Sequence, residues 1–163
     1  MDFAQSYLGS LRALVGNRPL LAVGVRVLIE DQQGKFLIIR RSDSGDWGLP
    51  GGSMELGESL MDAIHREALE EANVTLRSVK PFGLSSDPAV ERHTYPNGDV
   101  IQNVSLLAHG FIEHGEVASN DGEAFDFRFC SEEEIDAASF VKTEYPTFGH
   151  WRKFNETKEF QFV

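Results

Sequence analysis

Gly52, Glu58, Arg66, Glu67, Glu70 and Glu71 can do chemistry together if one loop and one helix aim them at a point. Glu67, Glu70 and Glu71 stand at i, i+3 and i+4, which places three carboxylates on one helical face within about a turn. Stability alone disfavours that arrangement. Like charges four apart repel by roughly 0.2 to 0.5 kcal/mol, and carboxylates near a helix C-terminus oppose the macrodipole by roughly 0.3 to 1 kcal/mol each. A bound cation reverses both penalties, and carboxylate oxygens are hard ligands suited to Mg2+ or Mn2+. A solvated acidic face has the same spacing, so the wider pattern must decide.

The elements that would position these groups are legible nearby. Ser59 followed by Asp62 reads as a capping box, and Leu60, Ile64 and Ala68 recur every four residues, so a helix is predicted from about Ser59 to Ala72. Read whole, the stretch from Gly52 to Val74, GSMELGESLMDAIHREALEEANV, resembles the Nudix box. The preceding WGLPGG, Trp47 to Gly52, is similar to the loop that leads into that box. One position departs: Asn73 stands where the family has glycine. Asn tolerates the left-handed conformation of a helix exit nearly as well, so the change bears on the exit and not on the carboxylates.

The resemblance implies an α/β fold, the Nudix-type α/β/α sandwich with a mixed sheet. It implies metal-dependent hydrolysis of a phosphoanhydride in a nucleoside diphosphate linked to another group, such as ADP-ribose, a nucleotide sugar or a nucleoside triphosphate. Glu67, Glu70 and Glu71 are then metal ligands for Mg2+ or Mn2+, with the carbonyl of Gly52 or Gly51 completing part of the shell. Glu123 is the candidate for an extra carboxylate from a later loop or strand. Arg66 is expected to pair with Glu58 and hold helix and loop in register. Which glutamate accepts a proton is left open by spacing, because crowding raises proton affinity while each bound cation lowers it. A different class is a non-catalytic nucleotide sensor; such domains often lose box glutamates, and this chain keeps them.

Further candidates come from the surrounding residues. Arg40 and Arg41 end a predicted strand, so one of the two faces the site, and Arg41 is the candidate phosphate contact. Trp47 could stack on a base, and Tyr95, with His93, could line the substrate pocket. Glu55 alternates with its neighbours in a short predicted strand.

The 163 residues and 41% apolar content suit a single domain over 1–163. The net charge of −11 argues against passive binding of nucleic acid or of an anionic membrane. A polyanionic, small-molecule substrate must therefore be met by local arginines and metal. Cys130 is the single cysteine, which precludes an internal disulfide and suits a reducing cytoplasm. The longest apolar run, Leu20 to Ile29, contains Arg26 and is far short of the roughly 20 residues of a membrane span. The remaining elements follow from periodicity. An amphipathic helix is predicted at about 2–15, closed by Gly16, Asn17 and Pro19, and it leaves room for a homodimer. Strands are predicted at Leu20 to Glu30, Phe36 to Arg41 and Val74 to Gly83. A hairpin about Asn97 and Gly98 joins Glu91–Tyr95 to Val100–Ile112. Asp121 to Glu123 lead into a strand from Ala124 to Cys130, followed by a short helix from Ser131 to about Ala138 and a last one from Pro146 to Phe154.

Overall fold

The computed structural model describes residues 3–95, 97–120 and 122–163, with the backbone alone at Phe3. Its centre is strand β1, Leu20–Glu30, whose alternate side chains serve two cores. Val25, Val27 and Ile29 point to one face, where they meet Ala63, Ile64, Ala68 and Ala72 of the helix α2, Leu60–Ala72. Leu28 points to the other face, towards Leu107, Phe82, Phe148 and Phe154. The last two belong to a helix, Pro146–Thr157. Helices on opposite faces of one sheet give the expected sandwich. Each fully buried Leu, Ile or Phe contributes about 1.5–3 kcal/mol to it.

β1 runs parallel to Val100–His114 along its whole length, from Leu20 opposite Ile101 to Glu30 opposite Phe111. Strand β2, Phe36–Arg41, meets β1 at Glu30 and Phe36 and then diverges. The opening is filled by two short strands, β3 (Trp47–Gly48) and β4 (Gly51–Ser53). β3 pairs with β2, while β4 pairs with Gly24, Val25 and Arg26 of β1. The WGLPGG segment therefore crosses the gap, and Val27 N–H donates to the Pro50 carbonyl at 2.9 Å. A Cβ on Gly51 would collide with the Val25 carbonyl, so the close approach demands glycine.

The outer strands are β5 (Thr75–Ser85), β6 (Arg92–Thr94), β7 (the Val100–His114 strand), β8 (Ala124–Cys130) and β9 (Gln161–Phe162). β5 and β7 are antiparallel, β6 folds back on β7 through the Asn97–Gly98 hairpin, and β8 pairs with β2. The sheet is mixed. The N-terminal helix α1 spans Tyr7–Val15, after a single 3-10 turn at Phe3–Gln5; Asp2, within the predicted helix, lies outside the described residues. Three local readings are corrected. Glu91 ends a helical turn, α3 (Pro88–Glu91), begun by the Asp87 cap and Pro88, and is not in a strand. Glu55 lies beyond β4. The segment after Ser131 makes two 3-10 turns, Glu132–Glu134 and Ala137–Ser139, with the capping box present but no continuous helix. With the final helix labelled α4, no helix among the described residues is long and apolar enough to cross a membrane.

α2 begins with the Ser59/Asp62 capping box and ends on Asn73, which is left-handed at φ 55°. Its amide does more than tolerate that turn. Nδ2 donates to the Glu116 carbonyl at 2.9 Å, and Oδ1 accepts from Asn120 at 2.9 Å. The loop after β7 is thereby laced onto the end of α2. Asn73→Ala removes both bonds and the left-handed tolerance, and we expect a loss of about 1–2 kcal/mol, seen as a lower urea midpoint. Asn73→Gly, which adopts the turn freely, is expected to lose less.

Candidate active site

α2 carries its acidic stripe directly beneath the β4 backbone. Glu71 is 1% exposed and Glu67 8%. Glu71 Oε2 accepts the Gly51 N–H at 2.7 Å. Glu67 lies against Gly52, where any Cβ would strike its carboxylate. Burial is the main reason both groups hold protons tightly: Glu67 is raised to about 7, and Glu71 lies well above the ordinary carboxylate range. Repulsion adds to this, from Glu70 and Glu123 on Glu67 and from Glu67 and Glu123 on Glu71.

Arg66 sits among the acids. Its guanidinium donates to Glu58 at 2.8 and 3.0 Å, to Glu67 at 2.7 Å, to Glu70 at 3.2 Å and to the Ser53 carbonyl at 2.9 Å. Glu58 in turn accepts the Glu55 N–H at 2.6 Å, closing the loop between β4 and α2. With Arg66 so placed, no three acidic, histidine or cysteine side chains among the described residues converge closely enough to hold a metal ion. The Glu58 carboxyl is held below its ordinary value of 4.5, first by the Arg66 hydrogen bonds. The unfolded chain therefore takes up this proton first as pH falls. The contribution is present at neutral pH and drains away below about pH 4.5. The stability gap between wild type and Glu58→Gln, from urea titrations at pH 7 and pH 4, is expected to narrow at the lower pH.

A two-lobed cavity opens over this centre, its lobes about 660 and 610 Å3. Arg41, Asp43, Gly51, Gly52, Tyr95 and Asn103 line both. The first lobe extends past Glu67 and Glu123 to Ser6 and Leu8 of the N-terminal segment. The second extends to His93, Lys142 and Glu144. Arg41 thus faces the junction, with Arg40 on the opposite side of its strand. Glu123 reaches the cavity because Ser42 N–H holds its carbonyl at 2.8 Å; its neighbour Asp121 lies outside the described residues. Tyr95 is set edge-on to His93, with ring centroids 4.5 Å apart. Trp47 lines neither lobe: its ring is flanked by Arg128 at 4.6 Å and Arg40 at 5.8 Å.

Several site residues escape sequence reasoning. Arg26 and Glu91 form a buried bidentate pair at 2.7 and 2.8 Å under the second lobe. Ser105 Oγ lies 3.5 Å from Glu91. The signal was a lone arginine inside an apolar strand, which needs a buried partner. Glu144 Oε2 accepts the Leu49 N–H at 2.7 Å and fixes the WGLPGG turn from a distant loop; nothing local marks it.

The family model for the NUDIX domain matches residues 20–151. The chain belongs to the Nudix family of pyrophosphohydrolases. Among its relatives, a MutT-like protein of Streptomyces ambofaciens is 41% identical over 116 residues, covering 68% of this chain and 75% of that protein. An ADP-ribose pyrophosphatase of Methanocaldococcus jannaschii is 31% identical over 126 residues, covering 74% and 71%. A solved ADP-ribose pyrophosphatase from Streptococcus suis superposes with a TM-score of 0.65 at 18% identity, covering 87% and 98%, a likeness of fold. The Nudix match begins at β1, so α1 and its contacts with the cavity lie outside it.

Proposed function

We propose that this Nudix protein uses a divalent cation to hydrolyse the phosphoanhydride of a nucleoside diphosphate linked to another group. The carrying observation is the buried pair Glu67 and Glu71, packed on the Gly51–Gly52 backbone at the junction of a two-lobed cavity. Buried carboxylates with raised proton affinity and hard oxygen donors fit Mg2+ or Mn2+, which supply the positive charge that burial leaves missing. Glu67, Glu70 and Glu71 would hold the ion, with the Gly52 carbonyl and Glu123 as further donors. When bound, it neutralises phosphate oxygens and lowers the pKa of water.

The chain's own residues do the rest. Arg41, where the lobes meet, receives phosphate charge. Arg66 stays on Glu58 and Ser53, keeping loop and helix in register, and yields Glu67 and Glu70. A carboxylate of the acidic group takes the proton of the attacking water. The water oxygen bonds to phosphorus, the bridging P–O bond breaks, and its electron pair leaves with the second phosphate. Two phosphate monoesters result.

The test is release of those monoesters from ADP-ribose or nucleotide sugars, or of a nucleoside monophosphate and pyrophosphate from nucleoside triphosphates, with Mg2+ or Mn2+. Absence of turnover with all of them overturns the reading. In parallel, metal at a hundred times its Kd is expected to add about 2.7 kcal/mol of stability, measured as a higher Tm. Nucleotide binding without turnover would instead indicate a sensor.

A further inference from the structure

The lobe that runs from Glu67 to α1 differs in chemistry from the site it adjoins. At its far end stand Ser6, Leu8, Asn97, Asp99, Ile101 and Asn103. Leu8 and Ile101 share one small apolar cluster, giving a non-polar ledge. The others offer a hydroxyl, two amides and a carboxylate, the donors and acceptors that hydroxyl groups require.

No lysine or arginine among the described residues lines that end. Arg12, which does not line the lobe, donates to the carbonyls of Gly16 and Arg18 at 2.7 and 2.8 Å and pairs with Asp99 at 3.4 Å. Nearer the centre, Arg66 is engaged by three glutamates, and Arg41 pairs with Asp43 at 3.3 Å. Among the described residues Arg41 and Arg66 are the cationic side chains lining this lobe, both at its inner end, so a phosphate placed beyond Gly52 towards the far end would meet Glu55 and Asp99 with no lining cation beside them, a like-charge arrangement that costs affinity.

The wall is also fixed in place. Tyr7 N–H donates to Glu55 Oε2 at 2.8 Å, tying the start of α1 to the box loop. Asn17 Nδ2 donates to the Asn97 carbonyl at 3.2 Å, tying its far end to the β6–β7 hairpin. Leu8 is 7% exposed and cannot swing away without opening its cluster.

We infer that α1 and the start of β7 form the specificity wall for a neutral, hydroxyl-rich group, so that the substrate is a nucleoside diphosphate sugar and not a triphosphate or dinucleoside polyphosphate. This rests on the pyrophosphohydrolase reading of the same site. The sugar's C–H face lies on Leu8 and Ile101 while its hydroxyls meet Ser6, Asn97 and Asn103. The nucleoside takes the other lobe. A cavity with two lobes suits a substrate with a bulky group on each side of the pyrophosphate.

The full chain with Mg2+ is assayed for kcat/KM on ADP-ribose, UDP-glucose, ATP and diadenosine tetraphosphate. We expect the better of the two diphosphate sugars to exceed ATP and the tetraphosphate by roughly a hundredfold or more, the scale of discrimination that unmet polar groups impose. In Leu8→Ala, KM for that sugar is expected to rise at least about fivefold, more than kcat falls, and the preference over ATP to narrow. ATP or the tetraphosphate cleaved as well as the sugars overturns this inference while leaving the hydrolase reading intact. So does an unchanged KM in Leu8→Ala. Turnover of none of the four, with Mg2+ or Mn2+, defeats the hydrolase reading itself. Should the variant lose helical circular dichroism, the wild-type substrate ratio decides.

Discussion

Glu71→Gln is expected to cut turnover roughly a thousandfold, about 4 kcal/mol of transition-state stabilisation, while the metal-free protein melts no lower than wild type. The two halves have one cause. Glu71 is buried, and burial already biases it towards its protonated form, so a neutral amide of the same shape costs the fold little. Its carbonyl oxygen can still accept the Gly51 N–H that Glu71 accepts at 2.7 Å. What the amide cannot do is carry negative charge beside Glu67. The Tm gain on adding Mg2+ is therefore expected to shrink along with the rate. Wild-type rates in Mg2+ would refute the assignment, and a collapsed metal-free Tm would show that Glu71 serves structure instead.

Arg26→Met is expected to be the most destabilising single change, costing about 3–5 kcal/mol. Glu91 is fully buried and would lose both guanidinium hydrogen bonds, with the Ser105 hydroxyl 3.5 Å away. The desolvation cost of that carboxylate then goes unanswered. Arg26→Met with Glu91→Leu removes both charges and is expected to recover most of the loss. Urea midpoints of the two single variants and the double variant measure this coupling. If Arg26→Met alone loses less than about 1 kcal/mol, the scale of an exposed pair, the pair is not the buried anchor described here.

How far the chain could be read from its letters follows from the range of each interaction. α2 was legible at both ends because its determinants are local: Ser59 and Asp62 three apart, an apolar residue every fourth place, Asn73 at the exit. The sandwich was legible from the order of strands and helices together with the resemblance to the Nudix box. The acidic stripe was legible too, but its burial was not, since exposure depends on β4 lying across it. Arg66 shows the limit well. Its spacing to Glu67 and Glu70 is visible in sequence, whereas the bonds to Glu58 and Ser53 depend on how the loop returns. Trp47 failed for the same reason: two guanidiniums from other strands cover it. Glu91 was misplaced because an Asp–Pro helical start competes with a strand-like run after it, and Arg26, 65 positions earlier in sequence, holds the outcome.

The crossing of the β1–β2 gap by Pro50–Ser53 has a dynamic consequence. The Val27 N–H donates to the Pro50 carbonyl and the Met54 N–H to the Val23 carbonyl, so the backbone under the carboxylates is stitched into the central strand and not hung on a mobile loop. Such a segment opens only when the strand itself opens. Heat inactivation and global melting are then expected to be one cooperative event, with no separate softening point for the backbone beneath the carboxylates.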